Sequence, residues 1–250
     1  MKKVSLLIVA VIAMLSCEND TNEFNFMDAI FPDQIGVWKK IEVPNGTVIN
    51  AISGNIDDTL VVVKDQFEIQ FSTNRGQNWQ QGLKQTHGIT AFSTHYDTIY
   101  AHIGTLGKTI LDNPIINRMD FGSHPGWYST DNGIQWAVNS RRNHYDEPVP
   151  INFVKYTEND VSFFVKDVFQ IEDGEITNAV DHNVIIKKMG NNCTQVDFPI
   201  DTYIENLYID SNNRLYVCLG FAYKLYLNKG ANIPLNKRSG IIYMTDLSNL

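Results

Sequence analysis

Cysteine is scarce in this chain, with three in 250 residues. No Cys-x-x-Cys pair and no cysteine–histidine spacing of a zinc site occurs. Cys193 and Cys218 can pair in an oxidising compartment or stand as two separate buried thiols that pack as small apolar groups. Positive charge is thin as well. Lys and Arg number 20 against 28 Asp and Glu, a formal net charge of −8 that becomes −10 once the first sixteen residues, which carry Lys2 and Lys3 and no acid, are removed. Arg141-Arg142 and Lys237-Arg238 are only pairs, so no basic cluster offsets the balance, which argues against a nucleic-acid partner. A bilayer-spanning run is missing too: the apolar stretch Val4 to Leu15, broken only by Ser5, falls short of the roughly 20 residues a span needs. No Ser/His/Asp arrangement, phosphate-cradling glycine loop or dinucleotide fingerprint appears. No catalytic residue, cofactor or metal is assigned on these grounds.

What is present is apolar content of 43% with 11% aromatics, enough for one all-β domain with a buried core. The chain is organised around Tyr128-Ser129-Thr130-Asp131-Asn132-Gly133-Ile134-Gln135-Trp136. This reads as a tight turn between two strands. Asp131 can accept from downstream backbone amides, Gly133 can take a positive φ, and Ser129 can tie the entering strand to the turn. Trp136 then packs inward. A copy stands 57 positions upstream, Phe71-Ser72-Thr73-Asn74-Arg75-Gly76-Gln77-Asn78-Trp79, with Asn74 in the place of Asp131. A further 57 downstream lands on Ile185 to Cys193, where only the glycine survives, and Tyr243-Met244-Thr245-Asp246, 115 after Tyr128, keeps the aromatic residue, Thr and Asp.

The turn resembles the Asp-box, or bacterial neuraminidase repeat, a hairpin turn that recurs on β-propeller blades of the sialidase and sortilin-like superfamily. The resemblance implies a β-propeller of four-stranded antiparallel blades, with Ser72, Asn74, Gly76, Trp79, Ser129, Asp131, Gly133, Trp136 and Asp246 as structural residues of the turns. Strand-length runs agree with it. The first unit has Val48 to Ser53, Thr59 to Lys64, Glu68 to Thr73 and Trp79 to Lys84. The second has Ile89 to Ser93, Thr98 to Ile103, Trp127 to Thr130 and Gln135 to Asn139. Asn152 to Tyr156, Val161 to Val165, Val184 to Lys188 and Gln195 to Phe198 make the third. The fourth offers Asn206 to Ile209, Arg214 to Leu219 and Gly240 to Thr245, and there the sequence ends. Asp-Asp-Thr, Tyr-Asp-Thr, Asn-Asp-Val and Asn-Asn-Arg recur at the first hairpin of each unit. Ile35 to Ile41 matches an exit strand after such a turn, with Trp38 in the part of Trp79 and Trp136, as a closing strand supplied from the N-terminus. About four blades are represented, fewer than is usual for that family, so the expectation is the front part of a longer reading frame or a degenerate remnant.

The N-terminus, with Lys2-Lys3, the apolar stretch and Leu15-Ser16-Cys17, reads as a secretory signal. It resembles the lipobox of bacterial, Bacteroidota-type lipoproteins, in which the cysteine becomes the lipidated N-terminus; Met14 departs from the usual residue of that box. The resemblance implies residues 1–16 as signal peptide, lipidation at Cys17, a flexible tether over 17–33, the propeller over 34–250, and a membrane partner. It places the chain in the cell envelope, anchored to the outer membrane, periplasmic or surface-exposed.

Length between the second and third strands is concentrated in Gly104 to Gly126, Lys166 to Asn183 and Gly220 to Ser239, read as long loops on the face opposite the turns. They offer Arg118, Asp120, His124, Tyr223, Lys237 and Arg238 as a possible ligand face. The acids Asp167, Glu172, Asp173, Glu175 and Asp181 lack the spacing of a known calcium loop. Tyr145-Asp146-Glu147 invites a glycosidase reading against a solvated pair. His87, His95 and His102 cluster in sequence, with a structural role as the default for each. Sialidases carry an Arg-Ile-Pro or similar motif, which is absent here. The expected function is a binding or assembly module for a protein or glycan; a truncated sialidase-like glycoside hydrolase and a structural envelope protein stay open.

Overall fold

The computed structural model describes residues 31–109, 118–140, 148–156, 160–172, 175–220 and 238–250. The expected signal peptide and Cys17, together with Tyr145 to Glu147, Tyr223 and Lys237, lie outside them. Asp33–Leu250 forms one unit, and Met1–Pro32 another.

In chain order the strands are β1 (Gln34–Ile35), β2 (Trp38–Pro44), β3 (Ile49–Gly54), β4 (Leu60–Lys64), β5 (Glu68–Ser72), β6 (Gln80–Lys84), β7 (Ile89–His95), β8 (Thr98–Thr109), β9 (Arg118–Ser129), β10 (Ala137–Val138), β11 (Val149–Pro150), β12 (Phe153–Tyr156), β13 (Val161–Glu172), β14 (Glu175–Met189), β15 (Asn192–Gln195), β16 (Ile204–Ile209), β17 (Arg214–Leu219) and β18 (Ser239–Asp246). They form four antiparallel sheets in the orders β3-β4-β5-β6, β7-β8-β9-β10, β12-β13-β14-β15 and β16-β17-β18-β2-β1, with β11 on the side of β9. These are the blades of a four-bladed propeller. The inner strands pack side by side, β3 against β16 and β7, and β12 against β16.

The fourth blade is where sequence counting fell short, and β2 supplies what it lacked. β2 pairs with β18 in an antiparallel ladder from Ser239↔Pro44 to Met244↔Lys39. The partial unit thereby becomes a full four-stranded blade, and the count resolves to four blades. Lys40 explains part of the seat, its backbone N–H donating to the Asp33 carbonyl at 2.8 Å and its ammonium lying 3.0 Å from the Asp33 carboxylate.

Apolar residues fill the gaps between blades because a central strand has a neighbour on each face. β4, Leu-Val-Val-Val-Lys, is buried at every position. Leu60 and Val62 face Ile41, Val43, Tyr216, Cys218 and Ile242 of the fourth blade. Val61 and Val63 point the other way and meet Ile89, Ile99 and Ala101 of the second. Cys218 is buried in the first of these clusters and Cys193 is half-exposed on β15; both thiols are free.

Three expectations about strands are corrected. Gly104 to Gly126 and Lys166 to Asn183 are not irregular loops. β8 and β9 keep pairing out to Thr109↔Arg118, and β13 and β14 out to Glu172↔Glu175, so each is a two-stranded ribbon running beyond its blade. Alternation of apolar and polar residues is weak there because the outer parts of the ribbons pack on no core, with Leu106, Ile171 and Ile176 exposed, which hid the strands. The outer strand of the third blade is Asn192–Gln195 rather than Gln195 to Phe198. A two-residue turn, Gly190-Asn191, joins it directly to Met189, pulling the strand forward.

Candidate functional site

Two faces of the blades differ in chemistry. In the first blade Gly54, Leu60 and Ser72 are aligned at one end of the sheet, while Ile49, Lys64 and Glu68 are aligned at the other. The first hairpins and the Asp-box-like turns therefore share one face, and the β4–β5 turn and blade-to-blade connections share the opposite face.

On the turn face, the Ser72 hydroxyl donates to Asn74 Oδ1 at 3.0 Å and accepts from the Gly76 N–H at 2.9 Å, while Asn78 N–H donates to Asn74 Oδ1 at 2.9 Å. The second turn repeats this. Ser129 donates to Asp131 Oδ1 at 2.7 Å, Gly133 N–H donates to Ser129 Oγ at 2.8 Å, and Gln135 N–H donates to Asp131 Oδ1 at 2.9 Å. Burial acts to raise the Asp131 carboxyl pKa, but hydrogen bonds from the Gln135 and Ile134 amides and the Ser129 hydroxyl outweigh it and hold the group below its ordinary value. Gly133 has φ 86° and Gly76 φ 77°, each preceded by a second left-handed residue, Asn132 at 58° and Arg75 at 62°.

The tryptophans join neighbouring blades. Trp79 Nε1–H donates to the Glu42 carbonyl on β2 at 2.9 Å, and Trp38 Nε1–H to the Asp197 carbonyl beyond β15 at 3.0 Å. Trp136 Nε1–H turns back to the Gly133 carbonyl at 2.8 Å, its ring stacked on Phe92 with centroids 5.7 Å apart. Gly133 is a seam residue as well, since a Cβ there would collide with the Val61 side chain. Gly133→Ala is thus expected to cost about 2–4 kcal/mol, adding left-handed strain to overpacking. Gly190→Ala, at φ 57° with nothing within 4 Å, is expected to cost only about 1–2 kcal/mol. Urea midpoints of the two variants would separate these. At the weak fourth copy, Asp246 precedes a 3-10 turn, Leu247–Asn249, and its side chain makes no capping hydrogen bond.

On the opposite face the central channel opens into a cavity of about 250 Å³ lined from all four blades. Local backbone irregularity aims the lining. The pairing register shifts at Asn50 in β3, at Thr90 in β7 and at Glu205 in β16, and each of these residues, like Asn152 before β12, lines the mouth. Such bulges re-aim a side chain out of the pleat. Three buried asparagines then act as pins. Asn50 Oδ1 accepts from Gln66 N–H at 2.7 Å; Asn152 Oδ1 accepts from Asp120 N–H at 3.0 Å, across to the second blade; Asn183 Oδ1 accepts from Ile204 N–H at 2.8 Å, across to the fourth. Asp120, Asp167 and Glu205 bring carboxylates from three blades, and no lysine or arginine is among the described lining residues.

Of the described residues offered as a ligand face from sequence, Asp120 alone lines this cavity, and Asp167, named among the acids of the second long segment, lines it as well. His124 is exposed on β9, its Nδ1 2.9 Å from Ser123 Oγ. Arg118 stands at the start of β9 opposite Thr109, and Arg238 is half-buried immediately before β18. The asparagine pins and Glu205 were missed. The signal for Asn50, Asn152 and Glu205 is the recurrence Ile-Asn-Ala-Ile, Ile-Thr-Ala-Phe, Ile-Asn-Phe-Val and Ile-Glu-Asn-Leu, a polar residue after the first isoleucine at the start of each unit, whereas Asn183, on β14, has none. Among the described residues no group of three His, Cys, Asp or Glu side chains is placed to hold a metal.

His102, on β8, is fully buried with Nε2 2.7 Å from Ser93 Oγ, while Nδ1 has no protein partner. Burial, and then the nearby His124, push its pKa down to about 4 from 6.5. The unfolded chain therefore takes up a proton near 6.5 that the native state refuses until about 4, so this contribution is complete above pH 6.5 and is lost as pH falls towards 4. Stability is expected to drop by about 3 kcal/mol across that window. The difference between wild type and His102→Gln, followed by urea unfolding at pH 7 and pH 4.5, isolates the effect; parallel pH profiles would refute it.

No protein-family model matches the chain, and comparison with characterised proteins gives no match. Among solved structures it is similar to YCF48 bound to D1 peptide, at 13% identity and a TM-score of 0.30, over 74% of this chain and 50% of that one. YCF48 from Cyanidioschyzon merolae gives 10% and 0.28, over 74% and 68%. An oxidoreductase described as a glucose dehydrogenase, from Thermus thermophilus, gives 8% and 0.41, over 83% and 99%. The chain spans about half the length of the first of these.

Proposed function

We propose that this chain is a lipid-anchored propeller of the cell envelope, held to the outer membrane through Cys17, that serves as a non-catalytic binding or assembly module for a protein or glycan. The ligand is taken at the channel mouth. The observation that carries this reading is the convergence of polar side chains from all four blades on one cavity, with asparagines that are already committed to backbone amides. A site whose frame is set before the ligand arrives loses little entropy on binding. Its polar lining, Asp120, Asp167 and Glu205 among it, favours a ligand rich in hydrogen-bonding groups, and the ribbons β8–β9 and β13–β14 extend the wall.

The test is a glycan and peptide array probed with the whole chain, alongside Asp120→Lys and Glu205→Lys. Binding weakened at least tenfold in the charge-reversed forms, with unchanged circular dichroism, supports the reading. Equal binding by all three, or hydrolysis of a fluorogenic sialoside, overturns it. Anchoring has its own assay: Cys17→Ala should move the protein from the detergent phase to the aqueous phase.

A further inference from the structure

We propose that a second pocket, on the turn face and lined by the third and fourth blades, binds a single sugar residue. Its volume is about 420 Å³, within the range of small-molecule sites. Phe163, buried, and Tyr156, half-buried, give it an apolar side; Lys187, Asn212, Asp246 and Ser248 place both signs of charge, an amide and a hydroxyl around the rest.

Asp246 is the informative residue. The spacing of 115 aligns it with Asp131, but the register sets Thr245 opposite Leu215 as Ser129 is opposite Ile99 and Ser72 opposite Leu60. Asp246 therefore stands one residue after the serine position, exposed like Thr130 and Thr73. The chain enters a 3-10 turn there, without a side-chain cap, and Asp246 lines the pocket together with Tyr156. Lys187 donates to the Leu250 backbone oxygen at 3.0 Å, which leaves its ammonium further N–H groups.

That set of groups discriminates among ligand classes. An acyl chain would strip water from Asp246 and Lys187 without replacing its hydrogen bonds. A phosphate would meet the Asp246 carboxylate. A pyranose can lay its C–H face on Tyr156, donate hydroxyls to Asp246, and accept from Asn212 and Lys187. The pocket is separate from the channel mouth, so either site can fail alone.

Saturation-transfer NMR on the whole chain, with glucose, galactose, N-acetylglucosamine and glycine as separate probes, tests the assignment. At least one sugar should receive transfer, with affinity reduced tenfold or more in Asp246→Ala and in Asn212→Ala, both changes at exposed residues, and unchanged in Asp120→Lys. The assignment is overturned by no transfer to any of the three sugars, by transfer undiminished in both pocket variants, or by transfer to glycine alone.

Discussion

A chain begun at Asn45, lacking β1 and β2, is expected not to fold cooperatively. Its fourth blade would end at β18, whose eight residues read Ser-Gly-Ile-Ile-Tyr-Met-Thr-Asp with both faces buried and one edge stripped of partners. Trp38, Ile41 and Val43, at 1%, 6% and 0% exposure, would leave the interior. Loss of the Trp alone costs about 3–5 kcal/mol and each aliphatic side chain about 1.5–3. The sum approaches the roughly 5–15 kcal/mol that holds a domain together. Size-exclusion chromatography should show aggregation through the exposed β18 edge, and a peptide of residues 31–44 added in trans should restore a cooperative melt. A monomer melting with the full chain would refute the closing role of β2.

Arg214→Ala is expected to cost about 3 kcal/mol, the penalty for stranding a buried charge. The guanidinium spans the junction of the fourth and first blades on the turn face. It donates to Asp57 at 2.6 Å, to Asn55 at 2.6 Å and to Asp210 at 2.9 Å. Asp210, whose side chain is fully buried, also accepts from the Tyr216 hydroxyl at 2.8 Å. Its charge would be left without a cation. Adding Asp210→Asn should recover part of the loss, because the amide oxygen can still accept from the backbone N–H groups of Asn212 and Arg214. Arg75, which also donates to Asp57 at 2.7 Å but is 72% exposed, should cost no more than about 1 kcal/mol when replaced by alanine. Equal losses at the two arginines, measured by urea denaturation, would show that burial is not what gives Arg214 its weight.

Much of the fold was legible because its determinants are local. A turn needs a left-handed residue and an acceptor for its amides, and Ser129, Asp131 and Gly133 supply them within five positions. A blade repeats, so two good copies set the period, and the period located the remaining strands and the closing part of β2. The ribbons were illegible for the converse reason: a hairpin that packs on no core shows no clean alternation. The candidate site was the least legible. Only Asp120 and Asp167 of the residues named from sequence stand at it, since the lining is gathered from all four blades and from positions far apart along the chain.

The sequence by itself determined the repeat, the strand order within each blade and the turns between third and fourth strands of the first two blades, all of which depend on residues close along the chain. The closing strand was read from the sequence too, and tertiary structure added its register against β18, from Ser239↔Pro44 to Met244↔Lys39. Tertiary structure alone decided that Asn50, Asn152, Asn183 and Glu205 meet at one mouth, and that Arg214 links two carboxylates more than 150 positions apart. Those contacts exist only once four inner strands stand side by side around an axis, and bulges in three of them turn polar side chains towards it.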